Sequence, residues 1–307
     1  MTYAWLPPFN LRELYIKNCR VGPGFPAWLR SQLVEVFLKN TGISGRIPDE
    51  WFLKISSEVK DMRILSLRNN QFSGGFPHEW SLWSNICVVD VSNNTLYGNI
   101  PSSMGIPSSL LILKMDDNHF RGEVPSSLQN CSSLFDLDFS GNKLNGILPT
   151  WIGSKLSNLQ VLQLGSNFLN GNIPQELCTL QFLHILNLGR NNISGTIPTC
   201  LSNLTNLVVG LSSSSFSVNH RANYDEFTRV FMKGTEFGYT GDHTLNLVMS
   251  IDFSSNTLEG EIPEGMSSLV KLISLNLSRN QLIGKIPWKF GNLTNLESVD
   301  LSHNHII

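Results

Sequence analysis

Residues 159–174 read LQVLQLGSNFLNGNIP and residues 272–287 read LISLNLSRNQLIGKIP, so the two stretches share Leu, Asn, Gly and Ile-Pro at the same offsets. The common template is L-x-x-L-x-L-x-x-N-x-L-x-G-x-I-P. Its Asn slot is filled along the chain by Cys19, Thr41, Asn70, Asn94, Asn118, Asn142, Asn167, Asn191, Asn256, Asn280 and Asn304. Successive slots are mostly 24 residues apart, with one gap of 65 residues. A fixed period of this length indicates a repeat architecture in which each turn packs against its neighbours.

Each part of the template has a structural reason. The last two Leu of L-x-x-L-x-L alternate with period two, so each turn supplies a short strand with Leu inward, and adjacent turns stack as a parallel sheet. The Asn amide can satisfy main-chain groups where the chain turns, and copies one turn apart can form a ladder. Gly permits a bend with positive φ, and Pro fixes φ. A single turn buries too little apolar surface to offset its conformational entropy, so only the stack is stable.

Charge and motif content restrict the possible functions. The formal net charge is −2 and 15% of residues are charged, which disfavours nucleic acid or an anionic membrane surface as a partner. We find no C-x2-C pair, H-E-x-x-H motif or phosphate-binding glycine loop, so we expect no metal, no cofactor and no enzymatic activity. Asp116 and Asp138 are a candidate carboxylate pair, but an open sheet surface would not split their pKa values as glycoside hydrolysis requires.

The single long gap divides the chain into three segments. We assign residues 1–211 to eight turns and the degenerate start of a ninth, residues 212–247 to an inserted island, and residues 248–307 to further repeats with a truncated last turn. The aromatic content of the island argues against disorder, and its aromatic side chains pack on the solenoid, on a partner, or on both. Neither a signal peptide, a membrane span nor an end cap is visible, so we expect an inner stretch of a longer protein.

Two lines of side chains, four and two residues before the Asn slot, are expected to face the open side of the sheet. Asp or Asn followed by Ser is the usual pair on these lines, and the first three turns depart from it with aromatic and basic residues. The candidate ligand-binding residues on these lines and in the island are Tyr15, Lys17, Phe37, Lys39, Arg68, Lys114, Asp116, Phe231 and Tyr239. The alternative is a soluble face with weak surface ion pairs around Lys114.

Cysteines and sequons suggest covalent modifications. Cys178 and Cys200 follow Ile-Pro in adjacent turns, which predicts one disulfide, the alternative being two small buried thiols. We expect Cys131 to be a packed thiol, which weakens the sequon at Asn130. The remaining sequons make Asn93, Asn192, Asn203, Asn276 and Asn292 candidate glycosylation sites, and they favour extracellular exposure.

The repeat with Ile-Pro resembles the plant-specific class of extracellular leucine-rich repeats. Residues 7–29, PPFNLRELYIKNCRVGPGFPAWL, and the island segments 229–239 and 249–256 resemble plant receptor-like proteins related to the fungal xylanase (EIX) receptors. The resemblance implies a leucine-rich-repeat solenoid of the 24-residue type, with a parallel β-sheet on the concave face, 3-10 or irregular segments on the convex face and one island insertion. It also implies a kinase-lacking immune receptor at the extracellular face of the plasma membrane. Such a receptor binds a microbial or wall-derived protein, peptide or glycan ligand and a co-receptor kinase.

After the island both lines return to the usual residues. The family engages a shared co-receptor kinase in this region, so the resemblance makes Ser254, Arg279 and His303 candidate co-receptor contacts. The alternative is that these turns are regular because nothing contacts them. A second function stays open, that of a secreted inhibitor of microbial wall-degrading enzymes similar to the polygalacturonase-inhibiting proteins, although those are uninterrupted and capped by Cys pairs. Ice binding is a weaker third reading, because the two lines are charged.

Overall fold

The chain folds as stacked leucine-rich turns, each with one strand of a parallel sheet followed by a tight turn. The computed structural model describes residues 11–26, 29, 33–58, 61–210, 224, 227–232, 235–240 and 247–307, and it describes residues 54–58, 227, 231, 232, 236 and 240 by their main chain. Residue contacts divide the chain into two compact units, the first Met1–Leu134 with Gly141–Lys143 and the second Phe135–Ser140 with Leu144–Ile307. The predicted boundary between residues 211 and 212 lies outside the described residues, so the three-segment division stays a prediction.

The first strand of each turn pairs in parallel with its neighbour inside each unit. In the first unit these strands are Glu13–Lys17, Glu35–Lys39, Ile64–Ser66, Val88–Asp90 and Ile112–Lys114. In the second unit they are Asp136–Asp138, Val161–Gln163, Ile185–Asn187, Ser250–Asp252, Ser274–Asn276 and Ser298–Asp300. Ile185–Asn187 pairs directly with Ser250–Asp252, so the insertion leaves the sheet and the stack continues past it.

A second set of short strands follows the Asn slots. In the first unit these are Ser44–Gly45, Gln71–Gly75, Thr95–Asn99 and His119–Gly122. The second unit holds Lys143–Ile147 from Leu144 onward, then Phe168–Asn172, Asn192–Thr196, Thr257–Glu261 and Gln281–Ile283. The insertion contributes an antiparallel hairpin of Phe227–Met232 and Thr235–Thr240.

Short helical segments follow the second strand in most of the described turns. The 3-10 helices are Trp80–Leu82, Ser102–Gly105, Ser126–Asn130, Gln175–Thr179, Thr199–Asn203, Glu264–Ser268 and Trp288–Asn292. The α-helices are Asp49–Glu58, Trp151–Lys155 and Thr205–Val209. The Pro of Ile-Pro directly precedes most of the 3-10 helices, as at Pro101, where φ is −62°. The ring fixes the φ that the entry to the helix requires.

The Asn slot joins successive turns through the main chain. Asn94 accepts a hydrogen bond at Oδ1 from the Phe72 N–H, 3.0 Å away, in the turn before it. Its Nδ2 donates to the Leu67 carbonyl of that turn, at 3.1 Å, and to the Val91 carbonyl of its own turn, at 3.0 Å. The same pattern recurs within each unit, for example at Asn118. The predicted ladder therefore consists of amides that bind backbone rather than one another.

The residue immediately before the Asn slot has positive φ in almost every turn. In the first unit Asn or Asp usually occupies this place, as at Asn69 and Asn93, where φ is 56° and 51°. These are the non-glycine residues that tolerate the left-handed region best. The template did not include this position. It carried a sequence signal, since Asn-Asn occurs at residues 69–70 and 93–94.

The ladder predicts a specific loss of stability. Asn94→Ala removes the acceptor of the buried Phe72 N–H and the donor to two carbonyls. We expect the free energy of unfolding to fall by about 2–4 kcal/mol, since each buried main-chain group left without a partner costs about 1–3 kcal/mol. Urea unfolding of the two proteins measures the difference. Asn99→Ala, at an exposed site of the same unit, is the control and should change stability by less than about 0.5 kcal/mol. Equal effects of both substitutions would contradict the role of the ladder.

Candidate functional site

An aromatic and basic patch begins the sheet face of the first unit. The rings of Tyr15 and Phe37 stack with centroids 4.6 Å apart and planes 13° apart, because register pairing places the two residues side by side on adjacent strands. The Lys17 Nζ lies 5.5 Å from the centre of the Phe37 ring. The Tyr15 hydroxyl donates to a carboxylate oxygen of Glu35, and Tyr15 keeps 43% of its surface exposed. We call Tyr15, Lys17 and Phe37 the N-terminal patch.

Several residues predicted for an open surface are buried. Phe37 is 2% exposed, Arg68 6%, Lys114 1% and Asp116 4%, whereas Lys17 and Lys39 are half-buried. Register pairs Lys114 with Asp90, itself 1% exposed, so the two opposite charges lie on adjacent strands and are removed together from solvent. The expectation of a solvent-facing line is therefore wrong at these four residues. Their role in ligand binding stays a prediction.

The usual Asp or Asn followed by Ser has a local explanation. Asp90 Oδ1 accepts hydrogen bonds from the Ser92 N–H, at 3.0 Å, and from the Ser92 hydroxyl. Asn276 does the same for Ser278, with distances of 3.1 and 2.7 Å. The pair thus caps a main-chain N–H at the end of the strand. Ser254, predicted as a co-receptor contact, is 7% exposed and its N–H donates to Asp252 in this way, so its side chain is buried in the fold and its role as a contact stays a prediction.

The inserted hairpin packs against the sheet of the second unit. Val230 is 3% exposed and forms a buried cluster with Val161, Ile185 and Val248, with Tyr239 partly buried against it. The island aromatics were expected to pack on the solenoid, on a partner, or on both, and Tyr239 packs on the solenoid. Phe231 lies in the first strand of the hairpin, and its side chain is outside the described part.

Sequence reasoning missed the line that the hairpin covers. Val161 and Ile185 lie six residues before the Asn slot, a position that the two predicted lines did not include. The sequence did carry a signal for it, because this position is apolar in several turns before the insertion and Ser in the turns after it. The residues are Ile64, Val88, Ile112, Val161 and Ile185 before, and Ser250, Ser274 and Ser298 after. An apolar line on the outer face of a sheet indicates a face that something covers.

Two titratable groups of the second unit have pKa values displaced by burial. Burial lowers the pKa of His184 to about 4 from 6.5, while the Phe182 carbonyl and the Asp136 carboxylate act in the opposite direction. Burial raises the pKa of Asp252, opposed by hydrogen bonds from Ser254 and by the charge of Arg190. His184 precedes the strand of Ile185, so a neutral imidazole lies directly beside the residues that the hairpin covers.

The late turns expose two basic residues on adjacent strand ends. Arg279 and His303 are exposed, and the Arg279 N–H donates to the Ser302 carbonyl at 2.8 Å. Burial raises the pKa of Asp300, but hydrogen bonds from Ser302 and Ser278 and the electrostatic effect of His303 outweigh it, so the pKa is lowered. Both Arg279 and His303 have left-handed backbone, with φ of 56° and 57°. The exposed part of the predicted surface therefore consists of these two side chains without Ser254.

One pair of cysteines is oxidised, and most of the sequons are exposed. Cys178 and Cys200 form a disulfide between neighbouring 3-10 helices, with Cα atoms 5.7 Å apart. Cys131 is buried, its thiol lies 3.4 Å from the Pro107 carbonyl, and burial raises its pKa to about 11. Asn276 is 8% exposed and its amide oxygen binds Ser278, so this sequon is not accessible in the fold. The exposed sequons are Asn93, Asn130, Asn192, Asn203 and Asn292.

The described ranges contain neither a metal-binding cluster nor a membrane-spanning helix. Within them, no group of three or more His, Cys, Asp or Glu side chains is arranged to hold a metal ion. The longest helix found there, Asp49–Glu58, has 10 residues, and none of these helices has the length and apolar character that crossing a bilayer requires.

Known proteins share this architecture. The Leucine Rich Repeat family matches residues 61–83, 109–131, 133–155, 158–180, 182–204 and 271–293. The tomato (Solanum lycopersicum) receptor-like protein EIX1 is 40% identical over 77 residues, which cover 24% of this chain and 7% of that protein. The ectodomain of the Arabidopsis thaliana membrane receptor kinase GASSHO1/SCHENGEN3, solved with CASPARIAN STRIP INTEGRITY FACTOR 2, has a TM-score of 0.76 at 28% identity. That match covers 95% of this chain and 30% of the receptor chain.

A further solved structure contains two partners. The Arabidopsis receptor kinase HAESA, in complex with the peptide hormone IDA and the co-receptor SERK1, has a TM-score of 0.69 at 27% identity, and the match covers 90% of this chain and 38% of that chain. The present chain is thus a leucine-rich-repeat solenoid of the kind that forms plant receptor ectodomains. Over 77 and 76 residues it is 40% identical to the tomato receptor-like proteins EIX1 and EIX2, which confirms the predicted resemblance. The segments aligned with EIX1 and EIX2 each cover 7% of those proteins.

The hairpin packing can be tested by placing a charge in its buried face. Val230→Asp puts a carboxylate against Val161 and Ile185, so we expect hydrogen exchange of the hairpin amides to accelerate at least about tenfold, since a buried unpaired charge costs several kcal/mol. Gly238→Asp, at an exposed residue on the opposite face of the hairpin from Val230, is the control and should leave exchange nearly unchanged. The measurement is hydrogen–deuterium exchange by mass spectrometry. Similar exchange in the two variants would contradict the packing.

His184 should make stability depend on pH. The pKa of His184 in the fold, about 4, lies below its ordinary value of 6.5. Its contribution to the free energy of unfolding is therefore fully present above pH 6.5 and is lost as the pH falls toward 4. At about 1.4 kcal/mol per pH unit, we expect about 2 kcal/mol of the loss in unfolding free energy between pH 7 and pH 5 to come from this residue. His184→Gln should remove that share, whereas His78→Gln, at an exposed histidine, should not. Urea unfolding at both pH values measures it, and an unchanged pH dependence in His184→Gln would refute the assignment.

Proposed function

We propose that this chain is a recognition segment of the ectodomain of a kinase-lacking plant immune receptor, without enzymatic activity of its own. The segment binds an extracellular ligand on one surface and a co-receptor kinase on another. The relationship to EIX1 supports the receptor-like class. The fold shared with HAESA, which was solved with a peptide hormone and a co-receptor, supports two protein partners. We place the full-length parent at the extracellular face of the plasma membrane.

The N-terminal patch is the proposed ligand surface. Stacking on the buried Phe37 ring holds the exposed Tyr15 ring in place, and Lys17 next to Phe37 adds a half-buried cation. Rigid aromatics beside a cation favour a ligand that offers both an apolar surface and an acidic group. Lys39 extends the patch along the adjacent strand, since it is the register partner of Lys17.

Arg279 and His303 carry the proposed co-receptor surface. The left-handed backbone at this position belongs to the repeat, since Arg190 and Ser255 of the same unit share it. It places the Arg279 and His303 side chains at equivalent positions of adjacent turns. The two exposed basic groups lie on adjacent strand ends, so they suit a carboxylate-bearing surface of the co-receptor. This pair is the single observation that carries the proposed co-receptor site.

The division of labour can be tested in the full-length parent. We expect Arg279→Glu with His303→Glu to weaken binding of the extracellular domain of SERK1 at least about tenfold, because a guanidinium and an imidazole are replaced by two repulsive carboxylates, and to leave ligand affinity unchanged. His119→Glu with Arg121→Glu, at two exposed residues of the first unit, is the charge-matched control. Surface plasmon resonance measures co-receptor binding, and fungal xylanase is the first ligand probe. Loss of ligand binding with co-receptor binding intact would reverse the assignment.

A further inference from the structure

A polar hollow lies in the first unit where the chain leaves the first two sheet strands. Its volume is about 420 Å³, within the range of about 300–1,000 Å³ found for small-ligand sites. The lining residues that matter are Asn18, Arg20, Asn40, Thr41, Gly42 and Gln71. None of them belongs to the N-terminal patch, so this site is separate from the proposed function.

Gly42 lies at the corner that forms the hollow. The first two turns have Cys19 and Thr41 in the slot that Asn fills in the later turns, and Gly42 follows Thr41. Because Gly42 has no side chain, it leaves space next to the main chain. The Thr41 side chain is held in place, because its N–H and its hydroxyl donate to Asn70 Oδ1 at 3.0 and 2.9 Å. The wall of the hollow is therefore rigid and preorganised.

A guanidinium and three amides supply the chemistry of the hollow. The stem of Arg20 lies over Gly42, since a Cβ built on Gly42 would be 3.8 Å from Arg20 Cγ, and the residue is exposed. Asn40 Nδ2 donates to Asn18 Oδ1 at 3.0 Å, and this bond does not engage the Asn18 amino group or the Asn40 amide oxygen. Among the described residues, those that line the hollow include no carboxylate and no aromatic ring.

We propose that this hollow binds a uronic acid unit of an acidic saccharide. A guanidinium binds a carboxylate through two parallel hydrogen bonds, and a site without an acidic wall retains this preference. Amide donors and acceptors from Asn18, Asn40 and Gln71 match the alternating donor and acceptor character of ring hydroxyls. Without an aromatic surface, a neutral sugar would depend on the amides alone, so the carboxylate determines selectivity.

The test uses the purified chain and isothermal titration calorimetry with digalacturonic acid, neutral galactobiose and a short glutamate-containing peptide. We expect digalacturonic acid to bind at least about tenfold more tightly than galactobiose, and Arg20→Gln to lose at least about tenfold of that affinity. Arg121→Gln, at an exposed arginine of the same unit, is the control and should bind normally. Equal binding of the two sugars, no binding of either, or an equal loss in both variants would overturn the proposal.

Filling the hollow provides a second variant. Gly42 has φ of +68°, a conformation that Asn tolerates, so Gly42→Asn should occupy the hollow and weaken digalacturonic acid binding at least about tenfold. Gly45→Asn, at φ of +87° and with open space around its Cβ, carries the same kind of strain and should bind normally. Tight binding of the peptide that Arg20→Gln abolishes would assign the hollow to peptide carboxylates and overturn the saccharide assignment. Failure of co-receptor or xylanase binding in the parent would not affect this result.

Discussion

The hydrogen bonds of the slot asparagines hold each turn to the next. In a parallel sheet of short strands, the main-chain groups at the strand ends have no partner in the ladder of the sheet itself. Asn167 supplies these partners from one amide: Oδ1 accepts from the Leu144 N–H at 2.9 Å, and Nδ2 donates to the Phe139 and Leu164 carbonyls at 3.0 and 3.1 Å. Asp could not replace it, because a carboxylate has no N–H to donate. Asn at the slot therefore sets the distance between successive turns.

A second local constraint explains the regular residues on the sheet face. Where Asp or Asn lies four residues before the slot and Ser two before it, the side-chain oxygen caps the Ser N–H, as at Asp138 and Ser140 at 3.0 Å. Uniformity along these lines thus follows from strand-end geometry, whether or not a partner binds there. Departures from the pair are more informative, because a turn that loses the cap must gain something else. In the turn of Lys114, the register places a cation next to Asp90 instead.

The sequence predicted the repeat and the parallel sheet, because both depend on spacing that the template makes visible. The similarity to receptor-like proteins was visible in the resemblance of particular segments. Burial was harder to predict. Whether an outward side chain on a sheet is exposed depends on what covers the face, and residues such as Val230 are distant in sequence from Val161. The apolar line six residues before the slot was the available signal. The left-handed residue before the slot was another, and Arg279 and His303 occupy that position.

The same reasoning distinguishes the two ends of the described stack. Turns whose sheet positions are apolar at six residues before the slot, such as those of Ile64 and Val88, have faces suited to being covered, whereas the turns of Ser274 and Ser298 have small polar residues there. A small polar position next to a capped Asp or Asn offers little apolar surface, so a partner that docks on these late turns must gain its affinity from long side chains at the strand ends. Arg279 and His303 are long or polarizable, exposed and on neighbouring strands. A partner that reads these two residues would depend on charge more than on apolar area, and its association should weaken as salt concentration rises.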